Sequence, residues 1–349
     1  MVESRMSQRV FHRACLRQPV PYTPIWIMRQ AGRYMKEYME VRSKVSFLEL
    51  CRTPELASKV TLDAAHLLDV DAAIIFADIL LITETLGFDL RFNPGDGPKI
   101  ENPFRTSSDV RRLARTDSRA HLSYVGEAVA KTRASLRDEK SLIGFAGAPY
   151  TVASYAIEGA GSKNYEHVRV LMKDEPAAWN ALLSAITSQT LDYLSMQVEA
   201  GADVLQIFDS WVGTLSAKEF ESSVVPHLRS LVSGLRERHP DVPLIYFGTN
   251  TGHLLRSIQS HLPVDVVGID SKVDLEDAKT ILANKALQGN LDPTTLLCGT
   301  QTIEREAQAI LDSMKGRDGF IFNLGHGILP MTDFAKAKHL VDWVHAARP

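Results

Sequence analysis

The sequence predicts an α/β fold, a single (β/α)8 barrel of the TIM type with an active-site cleft at the C-terminal ends of its strands. Two observations predict it. Short, continuously apolar segments alternate with longer helical segments, which is typical of parallel strands that are covered on both faces. Polar residues follow nearly every apolar segment, at the end of the strand where such barrels carry their active sites. The 349 residues fit one barrel domain, 1–349, in which residues 1–23 form an N-terminal arm.

The predicted strands are short, apolar throughout and mostly rich in Ile, Val, Leu and Phe. In chain order they are Ile25–Met28, Ala72–Phe76, Leu142–Ala146, Val204–Phe208, Leu244–Phe247, Val266–Ile269, Ala286–Gln288 and Phe320–Asn323.

Helix start signals lie between these strands. Thr53-Pro54 predicts a helix that has Thr53 as its N-cap and Pro54 at its first position. Ser216 and Glu219 have the spacing of a capping box, and Pro226 predicts a bend or a restart soon afterwards. Further helices are predicted at Pro176–Glu199, Asp274–Asn284, Ile303–Met314 and Met331–Ala346, and a surface connection at Ser107–Ser118.

Composition restricts the class of protein. With 45% hydrophobic residues, 23% charged residues and a net charge of −3, the chain has an ordinary globular composition and no electrostatic reason to bind nucleic acid. No apolar run is long enough to span a membrane, and the stretch Ile74–Leu86 is interrupted by Asp78 and Glu84. The polar N-terminus, residues 1–13, lacks a hydrophobic signal core, which favours a cytoplasmic protein.

Neither a disulfide framework nor a metal site is expected. The three cysteines, Cys15, Cys51 and Cys298, are widely separated and odd in number. None of them has a zinc-like pairing with histidine, and no His-Glu-x-x-His motif is present. Asp209, Asp270 and Asp292 follow predicted strands and could suggest a metal, but aspartates in such places usually cap helices, which is the interpretation we favour.

Two arginines follow the first predicted strand. Arg29 and Arg33 flank Gly32, which permits a sharp turn, and Gln30 adds a planar donor and acceptor. The next acidic residue along the chain is Glu37, so no acidic neighbour lies between or directly beside the two arginines to neutralise them. Two solvated arginines at a loop start would be the ordinary interpretation, but this unneutralised pair predicts a site for carboxylate or phosphate oxygens.

The second and last strands are followed by Asp78 and His326. Asp78 lies among apolar residues, where a carboxylate is costly unless it has a partner. A helix cap or a salt bridge is about as plausible there as a carboxylate that faces the cleft and awaits donors or a cationic intermediate. His326 lies between two glycines, which favours presentation of its ring to a cavity over a purely structural role.

Tyr155 and Ser210 are weaker candidates. A tyrosine is often a half-buried core residue, and Ser210 could simply cap the following helix. Ser210 also lacks the Gly-x-Ser-x-Gly context of a serine hydrolase.

Five motifs, in order along the chain, resemble the uroporphyrinogen decarboxylase family of haem biosynthesis. They lie at 24–34, beginning Pro-Ile-Trp-Ile-Met-Arg-Gln-Ala-Gly-Arg; at 144–159, beginning Gly-Phe-Ala-Gly-Ala-Pro-Tyr-Thr; at 206–211, Gln-Ile-Phe-Asp-Ser-Trp; at 287–293, Leu-Gln-Gly-Asn-Leu-Asp-Pro; and at 323–328, Asn-Leu-Gly-His-Gly-Ile. From the first to the last, they extend over nearly the whole chain.

The resemblance implies a single (β/α)8 barrel, a homodimer with facing clefts, and no cofactor or metal. It implies uroporphyrinogen III as substrate, whose eight carboxylates would explain the unneutralised arginines. It also implies that the four acetates are decarboxylated to methyl groups, which gives coproporphyrinogen III and carbon dioxide. The positions that match the family's functional residues are Arg29, Arg33, Asp78, Tyr155, Ser210 and His326.

Three positions depart from the family's pattern, although none is among those six. Ala77 replaces a serine, and Tyr150 and Ser271 stand where tryptophan is expected.

Two other functions stay open at this point. Methyl-transferring relatives use a histidine–cysteine zinc site, and no His-x-Cys is present here. A non-catalytic tetrapyrrole-binding protein could use the same scaffold, although the retention of Asp78 and both arginines argues against it.

Overall fold

The parallel sheet is strongly curled, and the predicted α/β barrel architecture is confirmed. The computed structural model describes residues 9–92, 97–114 and 116–347. A seven-stranded sheet pairs its strands in the order β1-β4-β5-β6-β7-β8-β9, all parallel. These strands are β1 Ala72–Ile74, β4 Ser141–Gly147, β5 Val204–Asp209, β6 Leu244–Gly248, β7 Val266–Gly268, β8 Ala286–Leu291 and β9 Phe320–Leu324.

The first predicted strand, Ile25–Met28, is wrong in extent, because only Ile25 forms a bridge, with Phe322 of β9. On its other side, Asp71 N donates to Ile25 O at 2.9 Å, so this segment joins the two edges of the sheet. The backbone ladder ends there because the following backbone N–H groups donate to side chains instead of to a neighbouring strand. Met28 N donates to Asn323 Oδ1 at 3.0 Å, and Ile27 N donates to Gln30 Oε1 at 3.4 Å.

A small antiparallel hairpin, β2 Leu90–Phe92 with β3 Pro98–Ile100, was not predicted. Its strands have three residues each and include charged side chains, so they lack the apolar run that identified the barrel strands.

Helices follow the strands and cover the sheet. Their bounds are Val10–Cys15, Lys36–Arg42, Phe47–Arg52, Pro54–Leu68, Ser118–His121, Ser123–Ser135, Pro149–Glu158, Glu166–Asp174, Pro176–Glu199, Ala217–Ser223, Val225–Arg238, Leu255–His261, Leu275–Ile281, Thr300–Met314 and Phe334–Ala346. Short 3-10 helices lie at Leu81–Leu86, Ser107–Arg112, Val212–Thr214, Gly252–Leu254 and Pro293–Leu297.

Most predicted helix signals are confirmed. Pro176–Glu199 has the predicted bounds, the Ser216 capping box is present, and the helix restarts at Val225 next to Pro226. Thr53 precedes the helix at Pro54, but its hydroxyl does not cap it. That hydroxyl instead donates to Glu49 O at 2.8 Å, because the preceding helix ends there and offers a free carbonyl.

Within the predicted arm, Val10–Cys15 packs into the core through Phe11, Ala14 and Cys15, while residues 1–8 lie outside the described residues. The predicted connection at Ser107–Ser118 contains the 3-10 helix Ser107–Arg112, and its residue 115 also lies outside them. The single domain 1–349 stays a prediction. Among the described helices, none combines the length and apolar character needed to cross a membrane.

Candidate active site

All seven predicted site residues line one cavity at the C-terminal ends of the strands. Its volume is about 380 Å³, and its wall includes Arg29, Gln30, Arg33, Asp78, Tyr155, Ser210 and His326. These residues come from five separate parts of the chain, and the curled sheet brings them together.

Asp78 is partly buried in the loop that follows β1. Phe76 N donates to the buried hydroxyl of Thr61 at 2.9 Å, and Leu80 N donates to Asp78 Oδ1 at 2.8 Å, so the loop is held on both sides of the carboxylate. Burial raises the pKa of Asp78 to about 6, while the Leu80 N–H and the charge of Arg29 act in the opposite direction. Asp78 therefore remains mostly ionised at neutral pH.

Arg29 and Arg33 are exposed to the cavity. Within the described ranges, neither guanidinium forms a hydrogen bond or a salt bridge, although Arg29 is near enough to lower the pKa of Asp78. Two unpaired guanidiniums at a cavity wall are suited to carboxylate groups of a ligand.

Arg29 has a left-handed backbone, with φ of 65°, which costs about 1 kcal/mol or more for a residue other than glycine. The surrounding bonds hold this conformation. Met28 is tied to β9 through Asn323, and Ile328 N donates to Met28 O at 2.9 Å. The strained backbone directs the Arg29 side chain across Gly327.

The Gln30 side chain is fully buried and bonded to backbone. Besides accepting from Ile27 N, its Nε2 donates to Ala72 O at 3.3 Å. This geometry supports a role in holding the loop of Arg29, while direct substrate binding by Gln30 stays a prediction.

Tyr155, Ser210 and His326 complete the polar wall. Tyr155 extends from the helix Pro149–Glu158, and burial raises its pKa, with a further contribution from the charge of Asp78. Ser210 follows β5 directly, and His326 follows β9 in its Gly-His-Gly turn. Burial and then Arg29 lower the pKa of His326, so its ring is mainly neutral at neutral pH.

Three phenylalanines of the cavity wall were not predicted. Phe145, Phe208 and Phe247 lie near the ends of neighbouring strands, with ring centroids 5.5 Å apart for the first pair and 6.1 Å for the second. Sequence reasoning missed them because continuously apolar strands hide which face each residue occupies. The sequence signal that could have identified them is their position near the C-terminal ends of the predicted strands. Neighbouring rings are steeply inclined, at 90° and 72°, and together they give the cavity an apolar surface beside its charged one.

Of the three departures from the family pattern, only Ala77 lines the cavity. The aspartates considered as metal ligands have other partners. Asp270 accepts from Thr251 N and Lys272 N, and Asp292 caps the 3-10 helix Pro293–Leu297, as predicted. Asp209 instead accepts bonds from two hydroxyl groups. Among the residues that the structure describes, no His, Cys, Asp or Glu side chains form a group of three or more that could hold a metal ion.

Gly327 provides a test of how closely Arg29 is positioned. A Cβ on residue 327 would lie 2.8 Å from Arg29 Nε and still closer to Arg29 Cδ, so Gly327→Ala must displace this side chain. We expect kcat/KM to fall about 10- to 100-fold in steady-state assays, with little change in the melting temperature. Gly299→Ala, which adds a Cβ with no atom within 4 Å, is the control. Unchanged kcat/KM in Gly327→Ala would show that the Arg29 position is not critical.

Comparison with known proteins identifies the family. The family model described as uroporphyrinogen decarboxylase matches residues 6–347. The uroporphyrinogen decarboxylase of Koribacter versatilis is 48% identical over 337 residues, covering 96% of this chain and 95% of the relative. That of Carboxydothermus hydrogenoformans is 47% identical over 336 residues, covering 96% and 95%.

Solved structures support the fold. A methyltransferase from Methanosarcina mazei superposes with a TM-score of 0.79 at 21% identity, covering 97% of this chain and 98% of the other. A putative vitamin-B12-independent methionine synthase from Listeria monocytogenes has a TM-score of 0.55 at 10% identity, covering 93% and 96%. At such identities the likeness concerns architecture alone. The extent and the identity of the sequence matches place this chain in the uroporphyrinogen decarboxylase family.

Proposed function

We propose that this chain decarboxylates the four acetate side chains of uroporphyrinogen III, giving coproporphyrinogen III and carbon dioxide. Family membership and the curated relatives support uroporphyrinogen decarboxylase activity, that of a carboxy-lyase. The observation that carries the proposal is the cavity itself. It combines one mostly ionised carboxylate with two guanidiniums that lack a partner among the described residues, beside an aromatic surface.

The chemistry depends on the substrate's own pyrrole rings. Direct loss of carbon dioxide from an acetate would leave an unstable carbanion. Protonation of the ring α-carbon first gives an iminium-like cation, which accepts the electron pair of the breaking bond. The resulting exocyclic alkene then takes up a proton to become the methyl group, and the ring α-proton leaves. The protein needs to position the rings, move protons and stabilise the cation.

Asp78 is the group that stabilises the cation. We assign it to accept the pyrrole N–H groups at the centre of the macrocycle, where its negative charge stabilises the iminium nitrogen. Partial exclusion from water strengthens this interaction, and the same exclusion raises the pKa of Asp78.

The remaining groups hold the periphery of the substrate. Arg29 and Arg33 bind carboxylates, and Arg29, whose charge acts on Asp78, assists proton delivery to the reacting ring. Tyr155, Ser210 and His326 bind further carboxylates as hydrogen-bond donors. The phenylalanines contact the flat faces of the pyrroles.

Two further proposals concern the setting of the enzyme. We propose a homodimer, and the 71% exposure of Met331, next to the cavity-lining Pro330, supports an interface at the cavity rim. Sedimentation of the protein at several concentrations tests it, and a monomer at micromolar concentration would reject it. We also propose a cytoplasmic location, which the membership of a family of biosynthetic enzymes supports.

The activity is tested by anaerobic incubation of the purified protein with uroporphyrinogen III, followed by oxidation of the products and their separation by carboxylate number. A series that ends at the four-carboxylate product supports the proposal. Unchanged substrate that nevertheless binds would indicate a tetrapyrrole-binding protein. Unchanged substrate without binding, together with stoichiometric zinc in the purified protein, would indicate a methyl-transferring relative.

A further inference from the structure

A buried hydrogen-bonded cluster lies directly behind the cavity wall. Asp209, the last residue of β5, is fully buried. Its Oδ1 accepts from the Thr151 hydroxyl at 2.7 Å, and its Oδ2 accepts from the Tyr246 hydroxyl at 2.9 Å. All three side chains are buried, and none of them lines the cavity.

Strand geometry explains this placement. Successive residues of a strand point to opposite faces, so Phe208 and Phe247 face the cavity while Asp209 and Tyr246 face the surrounding helices. In the ladder Phe208 pairs with Phe247. The cluster therefore fills the space between the aromatic wall and the helix Pro149–Glu158, which carries Thr151.

Burying a carboxylate in this space costs free energy, because the charged group loses its contact with water. Burial raises the pKa of Asp209 to about 6, although the two hydroxyl groups act in the opposite direction. Apolar side chains of similar volume generally stabilise a protein as well or better at such a position. The cluster therefore calls for a role other than stability.

The cluster controls the backbone on both sides of Ser210. Thr151 Oγ1, which donates to Asp209, also accepts from Trp211 N at 3.2 Å. The hydroxyl of Thr249 donates to the carbonyl of Ser210. Ser210 thus lies between an anchored carboxylate and an anchored amide, which orient its side chain toward the cavity.

The same cluster fixes Tyr155. Thr151 lies one helical turn before Tyr155 on the same helix, so a bond that holds Thr151 also sets the position of Tyr155. The Tyr155 ring further contacts Trp211, with centroids 5.9 Å apart. Asp209 therefore connects the helix of Tyr155, the turn of Ser210 and the strand of Phe247.

We propose that Asp209, Thr151 and Tyr246 are positioning residues, which fix the separation of Ser210 and Tyr155 and thereby hold substrate carboxylates on this side of the cavity. The inference rests on the proposed function. Each decarboxylation removes one carboxylate, so partly reacted intermediates depend increasingly on the contacts that remain. A loosened cluster should release them early.

The test compares Thr151→Val and Tyr246→Phe with the wild type. Both remove one hydroxyl group with little change of shape. We expect KM to rise about 10-fold, with kcat changed less than 3-fold, because Asp78 and Arg29 lie on other elements. Intermediates with seven, six and five carboxylates should accumulate in solution. Thr151→Ser retains the hydroxyl and should restore both KM and the product distribution.

Two matched controls remove similar groups elsewhere. Thr132→Val removes a buried hydroxyl that bonds to Ala128 O within its own helix. Tyr22→Phe removes a hydroxyl that donates to Asp71, which lies before β1 at the opposite end of the barrel. Both controls should keep the wild-type product distribution at similar melting temperatures.

The outcomes are separable. The positioning role is overturned if the wild type is active and both Tyr246→Phe and Thr151→Val keep its KM and its distribution of intermediates. The positioning role is also overturned if the two control variants release as much of the intermediates as Thr151→Val and Tyr246→Phe do. If Thr151→Val does not fold, Tyr246→Phe decides the question alone. A wild type that forms no product rejects the proposed function instead.

Discussion

Replacement of Asp78 by asparagine is expected to lower kcat/KM at least about 100-fold, because the variant keeps the shape of the side chain but loses the charge that stabilises the pyrrole cation. Anaerobic assays over a range of substrate concentrations measure this. Most of the loss should fall on kcat, since the developing cation exists only after the substrate has bound. The control is Asp318→Asn, which neutralises an exposed aspartate located before β9, away from the cavity.

The same variant should be more stable than the wild type at neutral pH. The pKa of Asp78 is about 6 in the folded protein, above its ordinary value of 3.8, so the folded state binds more protons between these values. The free energy of unfolding of the wild type therefore falls as pH rises from 3.8 to about 6. The asparagine introduced in Asp78→Asn does not ionise, so the variant does not lose this stability. Its free energy of unfolding should exceed that of the wild type by roughly 1–3 kcal/mol above pH 6, but by little below pH 4.

Chemical denaturation at several pH values tests the stability part of this prediction. Equal stability of Asp78→Asn and wild type above pH 6 would contradict the raised pKa. Unchanged turnover in the variant would remove Asp78 from the mechanism.

Replacement of Arg33 by alanine is expected to raise KM about 10- to 100-fold, because a charge-assisted bond to a substrate carboxylate is worth roughly 1.5–3 kcal/mol. Arg33 has no ion pair among the described residues, so its removal leaves no buried charge behind and the folded state should be little affected. The difference in KM between the variant and the wild type should become smaller at high salt, because salt screens exposed charges.

The control for this change is Arg305→Ala. Arg305 is also exposed, but it lies on the outer helix Thr300–Met314 and pairs with Glu306. An Arg33→Ala variant whose KM matches those of wild type and Arg305→Ala would exclude Arg33 from substrate binding.

The sequence predicted the barrel and the polar side of the cavity, because both depend on local patterns. Apolar runs identify buried parallel strands, and the residue that follows each strand marks the functional end. The first strand was predicted too long because its ladder is replaced by the side chains of Asn323 and Gln30, and the pairing with Asn323 spans 295 residues. No local pattern contains such a contact.

The remaining features depend on three-dimensional neighbours. The aromatic wall is created by strand register, which brings Phe208 beside Phe247. Asp209 was expected to be a helix cap, yet its carboxylate binds the hydroxyl groups of Thr151 and Tyr246, at sequence separations of 58 and 37 residues. The left-handed backbone of Arg29 is equally unexpected, because such a conformation in a residue other than glycine is sustained only by its surroundings.

The central claim is that the Asp78 carboxylate binds the pyrrole nitrogens at the centre of the substrate. A crystal structure of the protein with coproporphyrinogen III, grown anaerobically, tests it most directly. We predict that Asp78 oxygens lie within about 3 Å of pyrrole nitrogens, with substrate carboxylates beside Arg29 and Arg33. A macrocycle bound with Asp78 out of hydrogen-bonding reach of every pyrrole nitrogen would contradict the account.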